Sequence, residues 1–459
     1  FMVPSVFVEL AALPLTPNGK LDRAALPDPE GAGAGVAGEF VAPRSVVERV
    51  LAEVWAEVLG VERVGVEDNF FELGGDSIVS IRVVARAREL GVHVSVAQLF
   101  DHQTVAGLAS VASSESGVVA EQGLVVGEFP LTPIQRWFVE RGLPQAGHFN
   151  QSTVVEVQGR VDVELLRSAV GALVGQHDAL RSRFVRRGGA WVGRVVAAET
   201  SDLVTVVDAR GVTGEDEAEF LEARATGIQA GLDLEQGPLF RVALFDLGDR
   251  GQIVLVVAHH LVVDTVSWPV LLEDLASAYA QVEQGAGGVE LVAKTSSFVA
   301  WAQRLEELSG SPEVVAEAEF WRAIEAAAEP LPRVFAGGAN LVSGARRVSV
   351  ALDAVLTERL LREVPAAFRT QINDVLLSVL GAVFTEWTGS RSVVVDVEGH
   401  GREDVGADID VSRTVGWFTS VHPVELTALV DGDLGALLRR TKEYLRGVPR
   451  KGLGYGLLR

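Results

Sequence analysis

Three short stretches bring together side chains able to do chemistry. The first is His259-His260-Leu261-Val262-Val263-Asp264-Thr265-Val266-Ser267-Trp268, directly after the apolar run Ile253 to Ala258. A histidine titrates close to neutrality, so either ring could take or give a proton. Adjacent side chains on a strand leave opposite faces, which lets one ring work while the other packs and keeps the two from gripping one metal ion; no third ligand is close in sequence. Two structural histidines at a strand end are the plain alternative. Asp264, four residues beyond His260, can orient a ring or form a buried ion pair with an arginine across the fold. Ser267 reads as a helix cap with Pro269 in the first turn, and Trp268 suits core and site equally. The second stretch, Glu398-Gly399-His400-Gly401-Arg402-Glu403, follows the apolar run Val393 to Val397. Strand spacing puts Glu398, His400 and Arg402 on one side, the glycines allow close backbone approach, and a carboxylate there could exchange a proton. A rim Glu398 paired with Arg402 is the alternative. The third stretch, Gly74-Gly75-Asp76-Ser77, sets a serine after a Gly-Gly turn at a helix start. Its hydroxyl would face free backbone N–H groups and the positive end of the helix dipole, which suits a phosphodiester hung from it; an ordinary N-cap serine is the alternative.

These groups need elements to hold them. Ser45-Val46-Val47-Glu48 is a capping box, followed by Val50, Leu51, Val54 and Val58 at helical spacing and by Gly60 as a stop. Ser77 opens a second helix that stops at Gly91, and Ser95 to Leu108 supplies a third and a fourth, so this block is a small helical bundle. From about residue 129 onward strand-sized apolar runs alternate with helical patterns, Val270 to Val282 and Ile372 to Phe384 among them, which predicts an α/β fold too long for one core. Phe298 to Ala328 reads as a helical crossover between two halves. Two segments rich in small residues, Asp28 to Glu39 and Ala112 to Glu128, separate the pieces as linkers.

Composition narrows the function. The chain has 459 residues, room for roughly three folded units at about 150 residues each. Its 62 acidic and 40 basic residues leave a formal charge of −22, which repels phosphate backbones and anionic lipid, so neither nucleic acid nor membrane is an expected partner. No apolar run approaches the roughly 18 residues of a membrane helix, and Phe1-Met2-Val3-Pro4 shows no secretory signal, so a cytoplasmic location is expected. Both ends read as cut. Cysteine is absent, so any sulfur chemistry must come from an attached group.

The string Asp68-Asn69-Phe70-Phe71-Glu72-Leu73-Gly74-Gly75-Asp76-Ser77-Ile78 resembles the peptidyl carrier domain of nonribosomal peptide synthetases. The resemblance implies 4′-phosphopantetheine on Ser77, installed by a phosphopantetheinyl transferase, which supplies the missing thiol. Asp76 stands where most carriers have His, a variant similar to carriers directly upstream of an epimerization domain. Leu13-Pro14-Leu15-Thr16-Pro17-Asn18-Gly19-Lys20 looks like the closing motif of an adenylation domain, with Lys20 at the position that contacts the acyl-adenylate. The long tail resembles the epimerization branch of the condensation-domain superfamily. The match runs through Pro133 to Phe138, His148 to Ser152, the double histidine, Ile372 to Leu377, Glu398 to Glu403, Arg413 to Thr419 and Gly452 to Arg459.

Taken together, the resemblance implies an adenylation remnant at 1–27, a linker at 28–41, a four-helix carrier at 42–111, a second linker at 112–128 and, at 129–459, a two-lobed chloramphenicol-acetyltransferase-like epimerization domain incomplete at its C-terminus. An amino-acid epimerase of this kind removes the α-proton of a carrier-bound aminoacyl or peptidyl thioester and returns one from the opposite face. His260 and Glu398 are the implied acid–base pair, with His259, Asp264, Trp268, Asn373 and Arg402 in support, Asp76 beside the attached cofactor, and no metal. The absent adenylation body and a downstream condensation domain are the implied neighbours. An amide-forming condensation domain, set against by Thr265, Trp268 and Asp76, and an inactive carrier and docking scaffold are the rival readings.

Overall fold

The computed structural model describes residues 40–459 apart from 114–117, 119, 158, 200–201, 286, 334–336, 339–340, 342–343 and 407. Lys20 and the expected adenylation remnant lie outside the described residues.

The first unit is the four-helix bundle the sequence predicts: α1 (Val46–Leu59), α2 (Ser77–Glu89), α3 (Val96–Asp101) and α4 (Val105–Val111). Ser45 and Glu48 close the expected capping box, and Gly60 ends α1 at φ 68°. Ser95 and Gln98 repeat the box ahead of α3. The apolar stripes meet in a core of Leu51, Val54, Trp55, Phe70, Val83, Leu99, Val105 and Leu108, with Trp55 edge-on to Phe70 at 5.0 Å between ring centres.

The second unit is mixed α/β in two lobes. In the first lobe β1 (Gly127–Phe129), β4 (Ala190–Val195) and β3 (Ser182–Arg187) form one small sheet in that order. A four-stranded sheet runs β2 (Asn150–Glu156), β7 (Gln252–His259), β6 (Phe240–Asp246), β5 (Val204–Asp208), antiparallel except for the β5–β6 pair. Both faces of its central strands are covered, which explains why β6 and β7 read as unbroken apolar runs. Val242, Leu244, Val254 and Val256 face a core shared with α6 (Val163–Gln176) and α8 (Ser267–Glu283), while Ala243, Phe245, Leu255 and Val257 face α7 (Glu215–Gln229). Helix α5 (Pro133–Glu140) lies against the first of these cores through Ile134 and Phe138.

Past the crossover helices α9 (Phe298–Ser309) and α10 (Ala318–Ala327), the second lobe is built on the antiparallel pair β8 (Ser392–Gly399) and β9 (Ser420–Thr427). Helices α11 (Ile372–Thr388), α12 (Leu434–Arg446) and α13 (Leu453–Leu458) pack around it. No helix among the described residues is long and apolar enough to cross a membrane.

Two local expectations need correction. Ser267 is not a cap: Val266 holds that position without a side-chain bond, and the Ser267 hydroxyl instead donates to Asp264 Oδ1 at 2.7 Å. Nor do Glu398, His400 and Arg402 share one side. Strand β8 stops at Gly399, and Gly401 turns the chain at φ 70°, where a Cβ would strike the Phe418 carbonyl; Arg402 is thereby swung into the interior.

Candidate functional site

Strand β7 delivers the two histidines into different surroundings. His259, the last strand residue, is fully buried; its Nε2–H donates to the Ala146 carbonyl at 2.8 Å and its Nδ1 accepts from the Leu261 N–H at 3.1 Å. Burial, against the Ala146 bond, pushes this ring down to about 4, so it stays neutral and packs. His260 opens the following turn and is half-exposed. Its ring lies parallel to Phe149 at 5.3 Å and against Trp417 at 4.3 Å.

Hydrogen bonding fixes which nitrogen of His260 carries the proton. Trp268 Nε1–H can only donate, and it donates to Gln151 Oε1 at 2.6 Å. The Gln151 amide nitrogen therefore points the other way, to His260 Nε2 at 3.0 Å, where the ring must accept. His260 Nδ1 carries the proton and donates to the Val263 carbonyl at 2.8 Å. The imidazole is thus held with a lone pair on Nε2, the form a general base needs. Trp268 acts through Gln151. Sequence reasoning gave Gln151, Phe149 and Trp417 no role, although all three sit in the motifs that carry the family resemblance; the partner relation is across strands and lobes, where spacing along one segment says nothing.

Asp264 and Arg402 form a buried pair across the lobes. Arg402 Nη2 lies 3.0 and 3.2 Å from the Asp264 oxygens and 3.2 Å from Ser267 Oγ; Nη1 donates to the carbonyls of Val411 and Thr414 at 2.8 and 2.7 Å. The guanidinium also covers the Phe418 ring at 3.9 Å. Burial lowers the affinity of Arg402 for its proton and Asp264 opposes that. Asp264 further accepts from the Phe418 N–H at 3.3 Å, and Ser267 Oγ contacts the Gly416 backbone at 3.1 and 3.2 Å. The turn after His260 and the turn after Glu398 are therefore fastened to each other, each at the fourth residue beyond its candidate group. The alternative of Arg402 paired with Glu398 does not occur.

Glu398 faces Val421 on β9, is exposed, and makes no side-chain hydrogen bond or ion pair among the described residues. Asp396, two residues earlier and so on the same face of β8, lines a cavity of about 190 Å³ with Thr132, Trp137, Ser420 and Tyr455. His400, by contrast, is turned inward: its Nδ1 accepts from the Arg402 N–H at 3.0 Å and burial lowers its affinity for a proton. Asn373 is exposed in the first turn of α11, without a side-chain bond among the described residues.

At the carrier, Asp76 and not Ser77 caps α2, accepting from the N–H groups of Ile78 and Val79 at 2.8 Å each. The free N–H groups expected beside Ser77 are thus already taken. Ser77 is the first helical residue, half-exposed, and its hydroxyl has no partner among the described residues. Gly75 makes the turn possible, since a Cβ there would run into the Phe70 ring. An open hydroxyl on a braced turn fits covalent attachment of 4′-phosphopantetheine. No group of three or more His, Cys, Asp or Glu suited to a metal ion occurs among the described residues.

Comparison with known proteins matches these two units. The phosphopantetheine attachment site description matches residues 49–111, and the condensation domain description matches residues 125–459. The chain is 47% identical over its whole length to a linear gramicidin synthase of Brevibacillus parabrevis, covering 6% of that protein. It is 43% identical to chondramide synthase cmdD of Chondromyces crocatus, covering 12%. It spans less than half the length of the curated relatives it matches, and covers 42% of tyrocidine synthase 1 of Brevibacillus parabrevis at 36% identity. Among solved structures, the epimerization domain from the third module of tyrocidine synthetase B superposes with a TM-score of 0.68 at 38% identity, over 74% of this chain and 77% of that one. The SgcC5 protein of Streptomyces globisporus, 22% identical with a TM-score of 0.57 over 72% of this chain and 75% of that one, shares the fold. The chain belongs to the condensation-domain family, joined to a phosphopantetheine carrier domain as in nonribosomal peptide synthetases.

Proposed function

We propose that the chain carries an aminoacyl or peptidyl thioester on Ser77 and inverts its α-carbon from L to D, with His260 and Glu398 exchanging protons on opposite faces. In this reading the carrier spans 42–111 and the inverting domain begins at 129. When bound, phosphopantetheine supplies the thiol whose ester makes the α-proton comparatively acidic. The chain's own residues do the rest. Val263 and the Trp268–Gln151 pair hold His260 Nε2 as an acceptor. Glu398 offers a carboxylate with no competing partner among the described residues. Proton transfer by each group contributes about 10²- to 10⁴-fold.

The observation that carries the reading is the Asp264–Arg402 pair, because it couples the turn bearing His260 to the turn that follows Glu398. The 38% identical relative, described as an epimerization domain, supports the choice of inversion over amide formation. The test uses the full chain, treated with a phosphopantetheinyl transferase and coenzyme A, loaded with an L-aminoacyl group and held in deuterated water. Deuterium at the α-carbon and D product are expected. Ser77→Ala removes the mass gain on loading. Amide formation without exchange, given an acceptor thioester, overturns the proposal in favour of condensation, and no reaction in a loaded chain overturns it in favour of a scaffold.

A further inference from the structure

Helix α2, which opens at Ser77, ends against the condensation-type unit. Its last two charges are opposite in sign, and each meets its complement on one loop: Arg88 pairs with Asp410, and Glu89 Oε1 lies 2.5 Å from Arg413 Nη1. Neither receptor is a free surface side chain. Arg413 is fixed from behind by Asp274, whose other oxygen holds His177 Nε2 at 2.8 Å, and Glu273 approaches Arg413 at 3.4 Å. Asp410 is braced by its own N–H donating to Ser296 Oγ at 3.0 Å and by the Ser412 N–H donating to its carboxylate at 2.9 Å.

The loop therefore presents an anion and a cation three residues apart, each braced by neighbours in its own unit. The interface is shielded, with Arg413 8% and Glu89 15% exposed at the side chain, so solvent and salt screen it less than an open surface pair. A second feature sets Glu89 apart. A carboxylate at a helix C-terminus is opposed by the helix dipole, which Arg86, one turn back, offsets by reaching Glu89 Oε2 at 2.8 Å, so Oε1 is the oxygen left to meet Arg413. One to two turns earlier Ala85, Arg82 and Ile81 line a cavity of about 60 Å³ together with Val266, Pro269 and Val270 at the start of α8. The helix thus lies over the segment that holds Trp268.

We propose that the loop from Asp410 to Arg413 is a charge-coded receptor for the carrier of this same chain, which accepts an α2 ending in Arg–Glu and rejects the reversed order. This goes beyond the proposed inversion and stands independently of it. Docking sets the approach of the carrier: α2 rises about 1.5 Å per residue, so Ser77 stands about 18 Å along the helix from the latched end.

The chain has no cysteine, so two introduced ones take spin labels cleanly. Arg49→Cys on α1 and Glu306→Cys on α9 are both exposed positions, and double electron–electron resonance between them reads docking in the full chain without any loaded substrate. One narrow distance population is expected. Arg88→Asp and Asp410→Arg each reduce that population by about five- to tenfold, as loss of a shielded charge pair does, and the two changes together restore it. Arg88→Ala, which keeps helix propensity, lowers it in the same direction and serves where reversal disturbs folding. Unchanged distances in Arg88→Ala, or a combined variant that stays undocked, overturn the proposal.

Discussion

Replacing Arg402 with methionine removes the cation from a site that is 5% exposed and leaves the Asp264 carboxylate, 4% exposed, without its counter-charge. The carbonyls of Val411 and Thr414 lose their donor at the same time. Breaking a buried pair in this way costs about 3 to 5 kcal/mol, well above the cost of the lost Coulomb attraction alone, because a charge is stranded in the interior. At about 2 °C per kcal/mol for a large domain, the melting temperature of the second unit drops by about 6 to 10 °C. Scanning calorimetry measures it, with the carrier transition as an internal reference. Adding Asp264→Leu to Arg402→Met removes the stranded charge, so the double variant is expected to recover about 1 to 2 kcal/mol rather than lose more. Recovery stays partial because the Ser267 hydroxyl and the Phe418 N–H lose their acceptor. A double variant as unstable as the two single losses summed, or an Arg402→Met protein that melts unchanged, refutes the view that this pair fastens the lobes.

Gln151→Glu puts an acceptor opposite His260 Nε2, favours a proton on that nitrogen and slows exchange by about tenfold or more at neutral pH, read by α-deuterium incorporation. Gly75→Ala drives a methyl group into the Phe70 ring and destabilises the carrier by about 1 to 3 kcal/mol, measured as a lower carrier transition. His422 is buried with Nδ1 unpaired among the described residues, and burial, against the attraction of Asp396, pushes it down to about 4. Between that value and the ordinary 6.5 of a free histidine the unfolded chain binds more protons than the folded one. Stability therefore falls as pH drops through this window, by about 3 kcal/mol at most for such a group. His422→Leu flattens the fall between about pH 6.5 and 4, and identical pH slopes in melting experiments contradict this.

How much was legible varied with how local the cause was. The helix starts at Ser45 and Ser95 were readable because a capping box is closed within four residues. Strand β7 was readable because burial on both faces writes an apolar run into the sequence, and β8 because its valines supply a strand-length apolar run. The reading failed where a neighbour in the chain was displaced by one in space. Ser77 looked like the cap until Asp76, one residue earlier, took the two N–H groups. Ser267 looked like a cap but is drawn to Asp264 and the Gly416 backbone. Arg402 looked like a strand residue beside Glu398, yet the left-handed Gly401 sends it 138 positions back in sequence to Asp264. That His260 Nε2 is held as an acceptor rests on Trp268 forcing the orientation of Gln151, a relation among three segments that no spacing rule contains.

The inversion we propose needs two groups serving opposite faces of one carbon. His260→Ala and Glu398→Ala in the loaded chain, each offered the L and the D thioester separately in deuterated water, decide whether both are required. Neither variant is expected to convert one enantiomer into the other, while wild type does so from both sides. Inversion at an undiminished rate in either variant contradicts the account.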